Sequence, residues 1–161
     1  MEWDKLWSIN KRMIDPVCPR HTAVYEFNRV LVTLINGPVE PYVREIPRHK
    51  KCKEAGNKYT MYTKNIWIDY LDAQSISINE EVTLMDWGYA IIQEIKKDEM
   101  GRLVQLSGVL HLEGSVKITK LKLTWLPEMD ELVRLQLVHF DYLITSKKLV
   151  CMASRGVQWA G

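Results

Sequence analysis

A chain of 161 residues with 22 Lys or Arg against 20 Asp or Glu has a formal net charge of only +2. That fits one domain, or one domain with an appendage, and excludes indiscriminate coating of DNA by bulk charge. It has no apolar run of about eighteen residues, its start Met1-Glu2-Trp3-Asp4-Lys5 lacks the features of a secretory signal, and its three cysteines are odd in number and far apart, so free thiols in a reducing, intracellular compartment are expected, with no membrane partner.

Trp3, Leu6, Trp7, Met13 and Ile14 recur at near-helical spacing between Asp4, Lys5, Lys11 and Arg12, which predicts an amphipathic helix over Glu2 to Ile14, ended by Asp15-Pro16. Pro16-Val17-Cys18-Pro19 reads as an extended linker, because each proline fixes φ and disfavours helix in the residue before it. Two tryptophans and a leucine on so short a helix need something to pack on, so a neighbour is expected there. Arg29 to Ile35 and Pro41 to Ile46 flank Asn36-Gly37-Pro38 and predict two strands joined by a turn. A basic loop, Pro47 to Lys58, follows, then a strand within Tyr59 to Tyr70 and a turn at Asp72 to Ser75. From Glu80 to Leu126, apolar residues recur mostly at period two, with Asp98-Glu99-Met100-Gly101 interrupting. This predicts a long antiparallel ribbon whose Gly101 takes the positive φ of a hairpin loop. Pro127 to Glu131 separates it from Leu132 to Phe140, where Val133, Leu135, Leu137 and His139 alternate as in a strand. Six or more short strands with little helix predict an antiparallel barrel or sandwich. Val150 to Gly161 shows no periodicity and is expected to be a poorly ordered tail.

Charge is uneven along the chain. Residues 1–58 carry eleven Lys or Arg against seven Asp or Glu, with Arg44, Arg48, Lys50, Lys51, Lys53 and Lys58 closest together. Such a patch meets phosphate or is simply a solvated loop. Cys18-Pro-Arg-His21 and His49-Lys-Lys-Cys52 have spacings compatible with zinc, but Arg20, Arg48, Lys50 and Lys51 would surround the dication, so no metal is expected. His111 and His139 fall in predicted strands, where packed or edge roles outweigh catalysis. Nucleophile-elbow, phosphate-loop and dinucleotide signatures are absent from the sequence, and no catalytic residue is assigned. Trp67, Trp87, Trp125, Tyr59, Tyr62, Tyr70 and Tyr89 are expected mainly in the core. Any exposed ring near the basic loop would offer a stacking surface for unpaired bases.

Four segments in fixed order, EWDKLWSINKRMIDPVCPRHTAV from Glu2, EEVTLMDWGYAII from Glu80, VLHLEGSVKITKLKLTWL from Val109 and FDYLITSKKL from Phe140, resemble the anticodon-binding region of eukaryotic, notably plant, cytosolic glutamyl-tRNA synthetases. The resemblance spans about residues 2 to 149. It implies a mainly β fold: a helical stem and linker over 1–23 and a six-stranded antiparallel, ribosomal-protein-like barrel over 24–149, the proximal of two in that family, with 150–161 a divergent tail. It implies tRNA-Glu as partner, in the cytoplasm, in service of protein biosynthesis.

Arg20, in Cys18-Pro19-Arg20, matches the arginine that reads the middle anticodon base in the family's glutamine members, and Lys51 matches an anticodon-contacting position. Thr83 and Met85 stand where those members carry two arginines that read the first base, a departure that agrees with a glutamate-type assignment. Arg20, Arg48, Lys50, Lys51 and Lys53 are the expected RNA contacts. The nucleotide-binding domain and the distal barrel do not appear in these residues. The chain alone is therefore expected to be non-catalytic and to need no cofactor, the ATP belonging to the parent enzyme. The competing expectations are an interaction module whose stem helix docks on a catalytic synthetase domain or on a second copy, and a vestigial truncated fragment.

Overall fold

The computed structural model describes residues 3–113 and 119–138. The helix α1 (Trp3–Ile14) forms where the apolar spacing predicts it. Its end is fixed by the Cys18 amide donating to the Ile14 carbonyl at 2.9 Å, just past Pro16. Leu6, Ile9, Met13 and Ile14 remain 41–68% exposed along it, so the expected neighbour for this face is not supplied by the described residues.

Among the described residues nine strands follow: β1 (Val30–Leu34), β2 (Tyr42–Pro47), β3 (Asn57–Tyr62), β4 (Asn65–Ile68), β5 (Glu81–Leu84), β6 (Gly88–Lys97), β7 (Leu103–Leu110), β8 (Lys122–Leu123) and β9 (Trp125–Pro127). Seven of them form one sheet in the order β8-β5-β6-β7-β1-β4-β9, and β2-β3 form a separate hairpin. The two ends of that order are a single stretch of chain. β8 and β9 are separated only by Thr124; the first pairs with β5 and the second with β4. Residues 122–127 thus serve as one strand with a partner on each side, and the sheet curls into a barrel-like body of six staves. Closure of this kind leaves little unpaired edge.

The mainly β, barrel-like fold with an N-terminal helix is as expected, and the structure refines its pairing. β1 with β7 and β5 with β8 run parallel, whereas the sequence pattern suggested antiparallel neighbours throughout. Parallel neighbours require long crossovers; here the hairpin, β4 and α2 (Tyr70–Gln74) are among the elements inserted between β1 and β7. The turn expected at Asp72 to Ser75 is the end of that short helix.

Alternation places Val30, Val32, Leu34, Ile66, Ile68, Val82, Leu84, Ile92, Leu106 and Leu123 inside the barrel at 2% exposure or less. Each such side chain contributes about 1.5–3 kcal/mol of transfer free energy. A register shift between Ile92 and Glu94 puts a bulge in β6, which bends and twists the strand as a curved sheet requires. The β6–β7 hairpin closes as expected, with Gly101 at φ 77°.

The strand predicted over Leu132 to Phe140 is not found in the part described. Residues 132–138 form no ladder, and Val133, Leu135, Leu137 and Val138 are 67–81% exposed. Alternation is a local signal, whereas a strand exists only where a neighbouring backbone accepts its hydrogen bonds. His139, Phe140, the segment to Leu149, Cys151 and the tail Val150 to Gly161 lie outside the described residues.

Candidate nucleic-acid interface

An aromatic cluster joins the hairpin to the barrel. Tyr62 at the end of β3 is fully buried; its ring stacks on Tyr42 at 5.1 Å, meets Trp87 edge-on at 5.0 Å and lies 5.5 Å from Trp125, which is 4.8 Å from Trp87. Each such pair adds about 0.5–1.5 kcal/mol beyond area burial. Two polar handles aim at the turn between β5 and β6: the Tyr62 hydroxyl donates to the Asp86 carbonyl at 2.9 Å, and Trp125 Nε1 donates to the Met85 carbonyl at 2.9 Å. Burial pushes the Tyr62 phenol above its ordinary value, opposed by the Arg44 guanidinium 5.6 Å over its ring, so it remains a neutral donor. Asp86 itself sits at φ 62°, a left-handed conformation that Asp and Asn tolerate better than other side chains.

At the far end of the hairpin, the basic loop is tied to the linker that leaves α1. The Arg20 amide donates to the Arg48 carbonyl at 2.9 Å, and Lys58 Nζ donates to the Arg20 carbonyl at 3.1 Å. The Asp15 carbonyl accepts from Arg20 Nη2 at 3.2 Å and lies 3.0 Å from His49 Nε2. The Lys51 amide donates to His49 Nδ1 at 3.2 Å. With Nδ1 accepting, Nε2–H is the donor to the Asp15 carbonyl. His49, 5% exposed, is therefore a structural pin between linker and loop. Its sequence signal, a histidine inside a basic run, gave no hint of this role.

Linker, hairpin, the β5–β6 turn and β9 enclose an open cleft of about 1350 Å³. Of the expected contacts, Arg20, Arg48, Lys50 and Lys51 line it, and Lys58 joins them. Lys53 sits on the 3-10 turn Lys53–Ala55 instead, outside the lining. Lys50 Nζ is 2.7 Å from Asp86 Oδ1, a carboxylate that sequence reasoning did not single out because it lies far along the chain. Met85 lines the cleft. Thr83 lies on the face of β5 opposite to Val82 and Leu84, 8% exposed, with its hydroxyl hydrogen-bonded to that of Thr119. Five cations along one cleft, only one of them in a described ion pair within it, suit a run of phosphates.

Cys18 and Cys52 are free thiols, and among the described residues no group of three or more His, Cys, Asp or Glu side chains is placed to hold a metal. His111 follows β7, its ring Nδ1 2.7 Å from Glu81 Oε1 on the exposed surface. No described helix is long and apolar enough to cross a membrane.

Residues 18–112 match the family of tRNA synthetases class I (E and Q), anti-codon binding domain. The cytoplasmic glutamate–tRNA ligase of Arabidopsis thaliana is 68% identical over 149 residues, covering 92% of this chain and 21% of that protein. The cytoplasmic glutamate–tRNA ligase of Saccharomyces cerevisiae is 44% identical, over 92% of this chain and 20% of its own length. The bifunctional glutamate/proline–tRNA ligase of Mus musculus is 34% identical, over 92% of this chain and 10% of its own length. The chain thus spans about a fifth or less of these relatives. The match covers the linker, the hairpin with its basic loop and strands β1 to β7, the elements that build most of the cleft, and the chain belongs to the family of class I glutamyl and glutaminyl tRNA synthetase anticodon-binding domains.

Proposed function

We propose that this chain binds the anticodon stem-loop of tRNA-Glu in the cytoplasm and so serves glutamyl-tRNA formation in translation. The observation that carries this reading is the convergence of Arg20, Arg48, Lys50, Lys51 and Lys58 on one open cleft within the family-matched region. Residues 1–23 act as stem and linker, and residues 24–149 are the binding barrel. Binding, not amino-acid activation, is the activity assigned to these residues, and ATP chemistry is left to the parent enzyme.

Phosphate contacts position an RNA without reading it, so discrimination rests on groups that meet bases. The test is titration of tRNA-Glu and of a tRNA with a different anticodon across a salt series. Tighter binding of tRNA-Glu is expected. Equal affinity for both refutes anticodon recognition and leaves only charge attraction. Substituting Arg48, Lys50 and Lys51 together by Ala should shallow the salt dependence by roughly 0.7–0.9 for each phosphate no longer neutralised, and an unchanged slope removes the loop from the interface.

A second reading rests on a separate observation. Leu6, Ile9, Met13 and Ile14 leave α1 with an exposed apolar stripe, which suits docking on a catalytic synthetase domain or on a second copy. Solution mass of the protein beside a Met13→Ser, Ile14→Ser variant tests the second-copy form; an identical monomeric mass for both excludes it.

A further inference from the structure

Two aromatic side chains line the cleft, and they differ sharply: Trp125 is 5% exposed and locked in the aromatic cluster, whereas Tyr59 is 76% exposed. Tyr59 lies on β3 opposite Glu45 of β2, with Met61 two residues on and opposite Val43. Because antiparallel partners share a face, Val43, Met61 and Tyr59 form an apolar strip along one side of the hairpin, with Glu45, which accepts from Asn57 Nδ2 at 2.8 Å, on the same face beside Tyr59. All three line the cleft. Lys58, next in sequence and on the other face of β3, donates to the Arg20 carbonyl, and Arg48 and Lys51 lie along the same cleft.

We infer that Tyr59 is a stacking platform for an unpaired nucleobase, with Met61 and Val43 extending the apolar surface and the neighbouring cations holding the flanking phosphates. This rests on the RNA-binding reading of the cleft and adds to it a residue that meets a base. The occupant follows from the charge of the cleft: an exposed ring on an apolar strip, in a cleft that carries five cations and with the nearest carboxylate, Glu45, already bonded to Asn57, fits a ligand that alternates flat aromatic groups with anionic links. Single-stranded RNA is such a ligand. A paired stem is not, because its bases are stacked on one another and closed to the ring.

The experiment uses the full chain, a stem-loop RNA bearing the tRNA-Glu anticodon and a fully paired duplex of equal length. Tyr59→Ala and Tyr59→Thr should weaken stem-loop binding about 5- to 150-fold, the range of base–aromatic stacking, and leave the salt slope and the duplex affinity unchanged. Tyr59→Phe should bind as the parent does. Tyr59→Thr retains strand preference, so weakening shared by both truncations together with unaltered thermal melting reports stacking, not unfolding. If the parent protein prefers the stem-loop and the truncations keep that preference, the stacking role is overturned and the RNA-binding reading stands. If the parent protein binds stem-loop and duplex alike, both fall.

Discussion

Asp86→Asn should make RNA binding tighter, and its size follows from the position of Lys50. In the free protein Lys50 Nζ is 2.7 Å from Asp86 Oδ1, with the two side chains 71% and 31% exposed. An exposed pair of this kind is worth about 0.2–1 kcal/mol. A phosphate that recruits Lys50 must offset that amount and also approach the carboxylate. Two like charges about 7 Å apart in water repel by roughly 0.6 kcal/mol, reduced to about 0.25 kcal/mol by a Debye length near 8 Å. Removing the charge therefore returns about 0.5–1.3 kcal/mol, a gain of roughly two- to eightfold in affinity. Because phosphate recruits Lys50 in both proteins, the number of phosphates neutralised is the same and the salt slope should stay nearly level. Asn keeps the left-handed backbone, and the Asp86 carbonyl that accepts from Tyr62 belongs to the main chain, so melting temperature should fall by no more than the few degrees that the lost pair is worth. The assay is fluorescence anisotropy of labelled tRNA-Glu at several salt concentrations, with Lys50→Ala alone and combined with Asp86→Asn. Unchanged or weaker binding by Asp86→Asn, or a gain that persists without Lys50, would falsify the argument that the carboxylate competes with RNA for this lysine.

Three perturbations test the scaffold. Leu106→Ala empties a fully buried position and should cost about 2–5 kcal/mol in urea unfolding. Gly108→Ala should destabilise at least as visibly, since a Cβ there would lie 2.7 Å from the Ile91 carbonyl oxygen; a melting temperature equal to the parent's would contradict that close approach. Asp98 accepts hydrogen bonds from the Arg102 amide at 2.8 Å, from Arg102 Nε at 2.9 Å and from the Met100 amide at 2.9 Å, and these, the Arg102 amide foremost, hold its carboxyl below the usual carboxylate range. A depressed folded-state value means stabilisation that is present above the unfolded-state value and lost as pH falls through the folded one. Asp98→Asn should accordingly flatten the acid limb of the stability–pH curve and leave its neutral part nearly level.

The elements legible in the sequence are those whose causes are local. Trp3 to Ile14 carries its own helical period and its own stop at Pro16, and Gly101 announces a left-handed turn between two alternating runs. Asn36-Gly37-Pro38 divides β1 from β2 where expected, yet these strands belong to different sheets, because pairing depends on partners distant in sequence. β1 takes β4 and β7 as neighbours. The same limit explains Val133 to Val138, where alternation met no ladder, and Asp86, whose bearing on Lys50 exists only after β5 is placed beside the hairpin. Four of the five expected contacts lie in the cleft because the linker and loop that carry them are bonded to each other. Lys53 differs because its 3-10 turn carries it away. Composition identified the aromatic residues but not their faces: Tyr59 and Tyr62 are three residues apart on one strand, and one is exposed while the other is fully buried.

That contrast describes how this molecule divides its work. The barrel interior supplies rigidity, and almost every cleft residue able to meet RNA sits on what the barrel carries: the linker, the hairpin and the β5–β6 turn. Tyr62 belongs to both parts, since its ring completes the aromatic cluster and its hydroxyl holds the turn that bears Asp86. The aromatic cluster and the cleft therefore meet in one side chain. Tyr62→Phe retains the ring contacts and gives up one hydrogen bond worth about 0.5–1.5 kcal/mol, so it separates the two roles. If the hydroxyl holds the turn in place, combining Tyr62→Phe with Asp86→Asn should depart from additivity in RNA affinity. Strict additivity in that double-mutant cycle would show that the turn is positioned by Trp125 and the backbone alone.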